Sequence, residues 1–185
     1  MLVNRMIRAA MLDPRLYEEV EHDRNATSQA VQVVLIVALA SGIGGALWKL
    51  LTLNPIDAVS GLVGGILVAV LGWLTWALVT YIIGAKLLGG TATYGEMLRT
   101  LGFAQSPNVL LVFMGVLGAI PLIGGLLRLA LLIWVLLAGL IAIRQALDVG
   151  TGKAILTAII GWVVMAILVT IVASVFGIGV PAPTA

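Results

Sequence analysis

The 185-residue chain contains no cysteine. That absence excludes a disulfide framework, thiolate-ligated zinc and thiol nucleophiles, and it leaves the redox compartment unreadable. Histidine is nearly as scarce. His22 stands alone between Glu21 and Asp23 and reads as a solvated side chain, so the clustered imidazoles and carboxylates of a metal-dependent hydrolase are missing. Charge is sparse too, with 10% Asp, Glu, Lys and Arg against about 25% in an ordinary soluble domain. A formal net charge of +2 carried by so few groups argues against nucleic acid as a partner. Serine and threonine are scattered, with no G-x-S-x-G elbow and no His or Lys placed inside an apolar run, so a hydrolytic nucleophile has no base. The residues therefore point away from an enzyme, and no pattern calls for a cofactor or a metal.

Apolar residues are abundant: 62% of the chain is hydrophobic and the mean hydropathy is +1.19. Such a chain needs lipid around it, and in lipid every backbone amide must be satisfied internally. The expected fold is an all-α polytopic transmembrane helical bundle. Most of the 22 glycines fall inside the long apolar runs, where small residues let helices approach closely. The stretch Ser41-Gly42-Ile43-Gly44-Gly45 has the composition of a phosphate loop but lacks the following Gly-Lys-Ser/Thr, so it reads as helix contact.

Residues 1–27 read as a cytoplasmic or interfacial amphipathic segment. Leu2, Val3, Met6, Ile7 and Ala10 lie opposite Asn4, Arg5 and Arg8, and Asp13-Pro14 offers a cap and first residue for a short charged helix. A tail that orders only on lipid or on the protein's own body is the alternative. Residues 28–180 form the membrane domain, with spans at about 28–51, 59–83, 104–120, 124–147 and 153–177, each measured against the roughly 20 residues a crossing needs. The Ala38-Leu39-Ala40 site lies inside the first apolar run, so signal-peptide cleavage there is not expected. Gly61 and Gly65 form a small-xxx-small pair that fits either packing within the chain or a dimer interface.

Between the second and third spans the texture changes. Thr93 and Glu96 have capping-box spacing and predict an interfacial helix over 93–103, with Tyr94, Met97, Leu98 and Leu101 on an apolar face and Glu96 and Arg99 together on another. Pro107 interrupts it, leaving a short apolar run to Ile120 that gains length if the helix begins near Arg99 and kinks at the proline. Beyond the fourth span, Gly150 and Thr151 are placed to stop one helix and cap the next.

Of the 10 basic residues, Arg5, Arg8, Arg15, Arg24, Lys86, Arg99, Arg144 and Lys153 fall on one side, with Lys49 opposite and Arg128 in the membrane. The positive-inside rule makes the majority side cytoplasmic, so five spans put the N-terminus inside and the C-terminus outside. Arg128 is the one ionisable residue well inside an apolar run. Two readings stay open for it: a functional intramembrane charge, as in a small transporter or channel subunit, or a side chain near the outer boundary that snorkels to the headgroups.

The run Gly95-Glu96-Met97-Leu98-Arg99-Thr100-Leu101-Gly102-Phe103-Ala104-Gln105-Ser106-Pro107 resembles the G-E-x-x-R-x-x-G-x-A-x-x-P signature of the Yip-one domain family, the Ypt/Rab-interacting membrane proteins. The opening Leu12-Asp13-Pro14 to Tyr17, the turn Ile120-Pro121-Leu122-Ile123-Gly124-Gly125, Trp134, and the run from Lys153 to Trp162 are similar to pieces of prokaryotic members. The resemblance implies a five-span domain with a cytoplasmic N-terminus and no catalytic site. In eukaryotic members it implies vesicle traffic through Rab GTPases and association between family members. It singles out Glu96, Arg99, Gly102 and Pro107 as a cytoplasmic-face interaction or structural element, beside their plain reading as a helix cap and a kink. The expected partners are the lipid bilayer, further copies of the chain or other membrane proteins, and by analogy a small GTPase. The expected location is the plasma membrane, or endomembranes in a eukaryotic cell.

Overall fold

The long apolar runs are helical, and Asp13 and Thr93 supply side-chain acceptors for amides at two helix starts. The computed structural model describes residues 2–51, 56–118, 120 and 122–176, and every regular element among them is helical. Helix α1 (Leu2–Ala10) precedes α2 (Pro14–His22), whose N-cap Asp13 accepts from the Arg15 amide at 3.0 Å while Pro14 takes a position where its missing N–H costs nothing. Helices α3 (Ala26–Leu51) and α4 (Ile56–Tyr81) have 26 residues each, about 39 Å at 1.5 Å per residue. Helix α4 continues into a π-helical segment, Ile82–Leu87. After Gly89, which turns the chain at φ 75, Thr93 starts α5 (Tyr94–Ala104) with a complete capping box. A 3-10 segment, Ser106–Phe113, leads to α6 (Met114–Leu117), followed by α7 (Ile123–Ala146) and α8 (Thr151–Phe176).

Among the described residues, four stretches are long and apolar enough to cross a membrane: Ala26–Trp48, Ala69–Leu87, Tyr94–Leu117 and Ile123–Ala146. The apolar part of α8 measured the same way, Thr151–Met165, is shorter, although the helix itself runs for 26 residues. The chain is a polytopic all-α membrane bundle.

The third crossing differs from the sequence expectation. The helix expected over 93–103 is α5, Tyr94–Ala104, and most of it is buried within the protein. Its residues from Arg99 to Ala104, together with Met97, are buried among α2, α3, α4 and α7, and Tyr94–Leu117 forms one stretch long enough to cross. Pro107 produces a tightened 3-10 segment in place of a kink. It has no N–H to offer the Phe103 carbonyl, and the Ser106 hydroxyl donates to that carbonyl at 2.7 Å. Gly102 is required by close approach, since a Cβ there would sit 2.8 Å from the Ala30 Cβ on α3. The end of α7 also differs. The left-handed residue is Asp148, at φ 52, two residues before the expected Gly150, and its carboxylate accepts from the Thr91 hydroxyl at 2.8 Å. Gly61 and Gly65 lie on α4, but their surroundings fall outside the described residues.

The core lies toward one end. Leu16, Tyr17, Val20, Met97, Leu101, Phe103, Ile143 and Leu147 are fully buried, and all come from the half of the bundle that carries α2, the start of α5 and the end of α7. We refer to this half as the polar end.

Candidate functional site

Helix α2 presents Leu16, Tyr17, Val20 and Glu21 on one buried face, packed against α5 and α7. A short helix leaves its last carbonyls without partners, and these are met by Arg99, which is 7% exposed. Its Nε donates to the Val20 carbonyl at 3.0 Å, its Nη2 donates to the Glu21 carbonyl, and its Nη1 reaches the Thr27 hydroxyl at 3.4 Å. A guanidinium at a helix C-terminus also lies at the negative end of the helix dipole. The Glu96 carboxylate is 3.9 Å from Arg99, and its other oxygen accepts from the Thr93 amide at 2.7 Å. The i, i+3 pair is thus a clamp inside the protein: Glu96 starts α5, and Arg99 ties α5 to the end of α2.

Around the clamp the carboxylates crowd together. Glu18 accepts from the Gln145 amide at 3.2 Å, and Asp148 is held by Thr91. Glu21 is buried at 5% exposure, and its Oε2 has no hydrogen-bond partner among the described residues. Burial pushes its carboxyl up to about 7; Asp148, Glu18 and Glu96 push the same way, while His22 opposes them. The loop ahead of α5 is pinned to the end of α7 by the Thr91 amide, which donates to the Leu147 carbonyl at 3.1 Å, and Lys153 donates to the Leu88 carbonyl at 3.2 Å.

Helix α1 is held by a second set of contacts. Arg5 pairs with Glu19 at 2.7 Å and with Asp23 at 3.0 Å, and Arg8 pairs with Asp13 at 2.9 Å and with Glu19 at 2.8 Å. These arginines keep the Glu19, Asp13 and Asp23 carboxyls below the usual carboxylate range. The C-terminal carbonyls of α1 are closed by side chains from elsewhere: the buried Tyr17 hydroxyl donates to Ala9 at 3.1 Å, and the Trp134 indole donates to Ala10 at 2.7 Å. Val3, Ile7 and Met11 remain exposed on the outer face.

Of the residues singled out from the sequence, Glu96, Arg99 and Gly102 lie on α5, and Pro107 lies on the 3-10 segment that follows it. Arg128 lies apart from them. It is exposed, its guanidinium carbon is 5.8 Å from the Trp48 ring centroid, and it sits near the start of α7, away from the polar end. Several hydroxyls within the helices bond back to their own turns: Thr80 to Trp76, Thr100 to Glu96 and Thr157 to Lys153. Sequence reasoning missed the buried Glu21 and the indole latch of Trp134. The signal for Glu21 was present, because it shares an apolar stripe with Leu16, Tyr17 and Val20 and is the one charged residue on it.

Compared with known proteins, the chain matches no curated protein and no solved structure. It does match a family model, the Yip1 domain, over residues 9–174, a stretch that includes the Arg99 clamp, Trp134 and most of α8. The chain therefore belongs to the Yip1 domain family of multi-pass membrane proteins.

Proposed function

We propose that this protein is a non-enzymatic scaffold or adaptor of the plasma membrane that engages other membrane proteins, or further copies of itself, through its polar end, and that this end faces the cytoplasm. The observation that carries the reading is the Arg99 clamp. A buried guanidinium fixes α2 across α5 and α7, and the surface so fixed presents Glu18, Arg24, Arg144 and Asp148, all exposed. A rigid platform of mixed charge suits recognition, since complementary charges select partners and set encounter rates. The basic excess at the same end supports the cytoplasmic orientation.

Arg99 contributes by holding the platform, and the contacts with partners fall to the exposed residues around it. The small-GTPase binding implied by eukaryotic relatives would use this same face. Crosslinking mass spectrometry in native membranes tests the proposal. Charge reversal at Glu18 and Arg144 removes specific partners while the melting temperature stays within about 2 °C of the parent, as expected for exposed sites. An unchanged set of crosslinked partners contradicts the reading.

A further inference from the structure

Behind the Arg99 clamp, at the depth of the crossing helices, a cavity of about 420 Å³ opens between α4, the end of α5 and α8. Gly72, Trp73, Trp76, Gln105 and Trp162 line it. A second space of about 230 Å³, bordered by Ser41 and Asn108, shares Gln105 and Ala69 with the first. These residues lie in the apolar stretches Ala26–Trp48, Ala69–Leu87, Tyr94–Leu117 and Thr151–Met165, where bulk water is not the solvent.

The donors in this crevice are not all satisfied. Asn108 Nδ2 donates to Gln105 Oε1 at 2.7 Å, so the Gln105 carbonyl is occupied and its amide N–H groups are left to donate elsewhere. Trp76 Nε1 is buried and likewise has no acceptor, whereas the neighbouring Trp73 Nε1 donates to the Leu98 carbonyl at 3.1 Å. An unpaired buried donor is costly, and in a bilayer no bulk water relieves it. Among the described residues, no Asp, Glu, Lys, Arg or His lines either space, so a charged occupant would find no counter-charge there. The walls are indole faces and small residues, and the volume falls within the roughly 300–1,000 Å³ of ordinary ligand sites. Trp162 is 41% exposed, which places the mouth of the cavity on the lipid-facing side of α8.

We propose that this crevice binds an uncharged lipid from the surrounding bilayer, with its apolar body against Trp73, Trp76 and Trp162 and an ester or hydroxyl oxygen accepting from Gln105 and Trp76. The site is separate from the charged platform and does not depend on the scaffold reading.

Reconstitution of the full chain in phosphatidylcholine vesicles containing a diazirine-bearing diacylglycerol tests it. Photolabelling is expected to concentrate on peptides carrying Trp73, Gln105 and Trp162 and to be competed by unlabelled diacylglycerol. Gly72→Leu should place a side chain in the cavity, because Gly72 lines it and a Cβ there meets nothing within 4 Å. It should cut labelling about tenfold, and Gln105→Leu or Trp76→Phe should each cut it about fivefold, the effect of one lost hydrogen bond. Circular dichroism of each variant checks that the helices are retained, and competition on the parent protein provides a test that needs no variant. Labelling spread evenly over the lipid-facing helices, labelling that unlabelled diacylglycerol does not compete, or equal labelling of the crevice by a phosphatidylcholine probe overturns the proposal. So does undiminished labelling in a folded Gly72→Leu variant.

Discussion

The two ends of the bundle are built on different principles. At the polar end, Leu16, Tyr17, Met97, Phe103 and Ile143 are fully buried, and hydrogen bonds and ion pairs join elements far apart in sequence. Away from that core, Leu126, Leu129, Ile159, Val163 and Ile167 are each more than half exposed on α7 and α8. Lipid tails are as apolar as leucine, so burying these side chains against one another gains little. Close backbone approach takes over there: Gly44 on α3 meets the Leu111 backbone and Gly115, leaving no room for a Cβ at either glycine. Buried side chains and long-range polar contacts hold one end, and close backbone approach at glycines is prominent at the other.

Substitutions that probe the two ends should therefore differ in size. The largest effect is expected for Phe103→Ala, about 4 kcal/mol of lost stability in detergent, against less than about 0.5 kcal/mol for Leu129→Ala, which is 52% exposed. Equal losses in thermal or denaturant unfolding would erase the distinction between the ends.

Arg99→Ala comes next, at about 3 kcal/mol, because it leaves the carbonyls of Val20 and Glu21 buried without their donors. Hydrogen exchange should rise across α2 first, with Arg99→Lys restoring part of the protection. Uniform exchange across the whole chain would deny the clamp its local role.

The buried carboxyl of Glu21 gives the polar end a pH dependence. Its folded-state value of about 7 lies above the ordinary 4.5, so the folded form holds the proton more tightly. The resulting stabilisation is present below about pH 4.5, declines as pH rises through 4.5 to 7, and is lost above 7, a change on the order of 2 kcal/mol. Glu21→Gln should flatten this part of the pH–stability profile, and an unaltered profile would mean that another group is responsible. The smallest effect is expected for Trp134→Phe, about 1 kcal/mol for the hydrogen bond to Ala10, read as faster exchange confined to α1.

The legibility of the sequence follows the same division. Length and apolarity alone mark the crossing helices, because in lipid a backbone has few alternatives to a helix. Local caps were equally readable: Asp13-Pro14 before α2 and Thr93 with Glu96 at the start of α5 depend on residues within three positions of each other. The long-range contacts were not. Glu96 and Arg99 at i, i+3 have the spacing of a solvated polar face, and nothing nearby in sequence shows that Arg99 meets carbonyls 78 and 79 residues away. The same limit hid the pairing of Trp134 with Ala10. Periodicity describes what a helix can bury, whereas partners set by the tertiary fold decide what it does bury.

Central to the proposed function is a polar end that stands in the cytoplasm as a water-facing platform. With no native cysteine, single replacements at Glu18, Asp148 and Leu122, all exposed, can each be read with a membrane-impermeant maleimide in right-side-out and inside-out vesicles. Cysteines at 18 and 148 should label only in inside-out vesicles, and a cysteine at 122 only in right-side-out ones. Labelling of 18 or 148 from the outer face would contradict the orientation and the proposed platform with it.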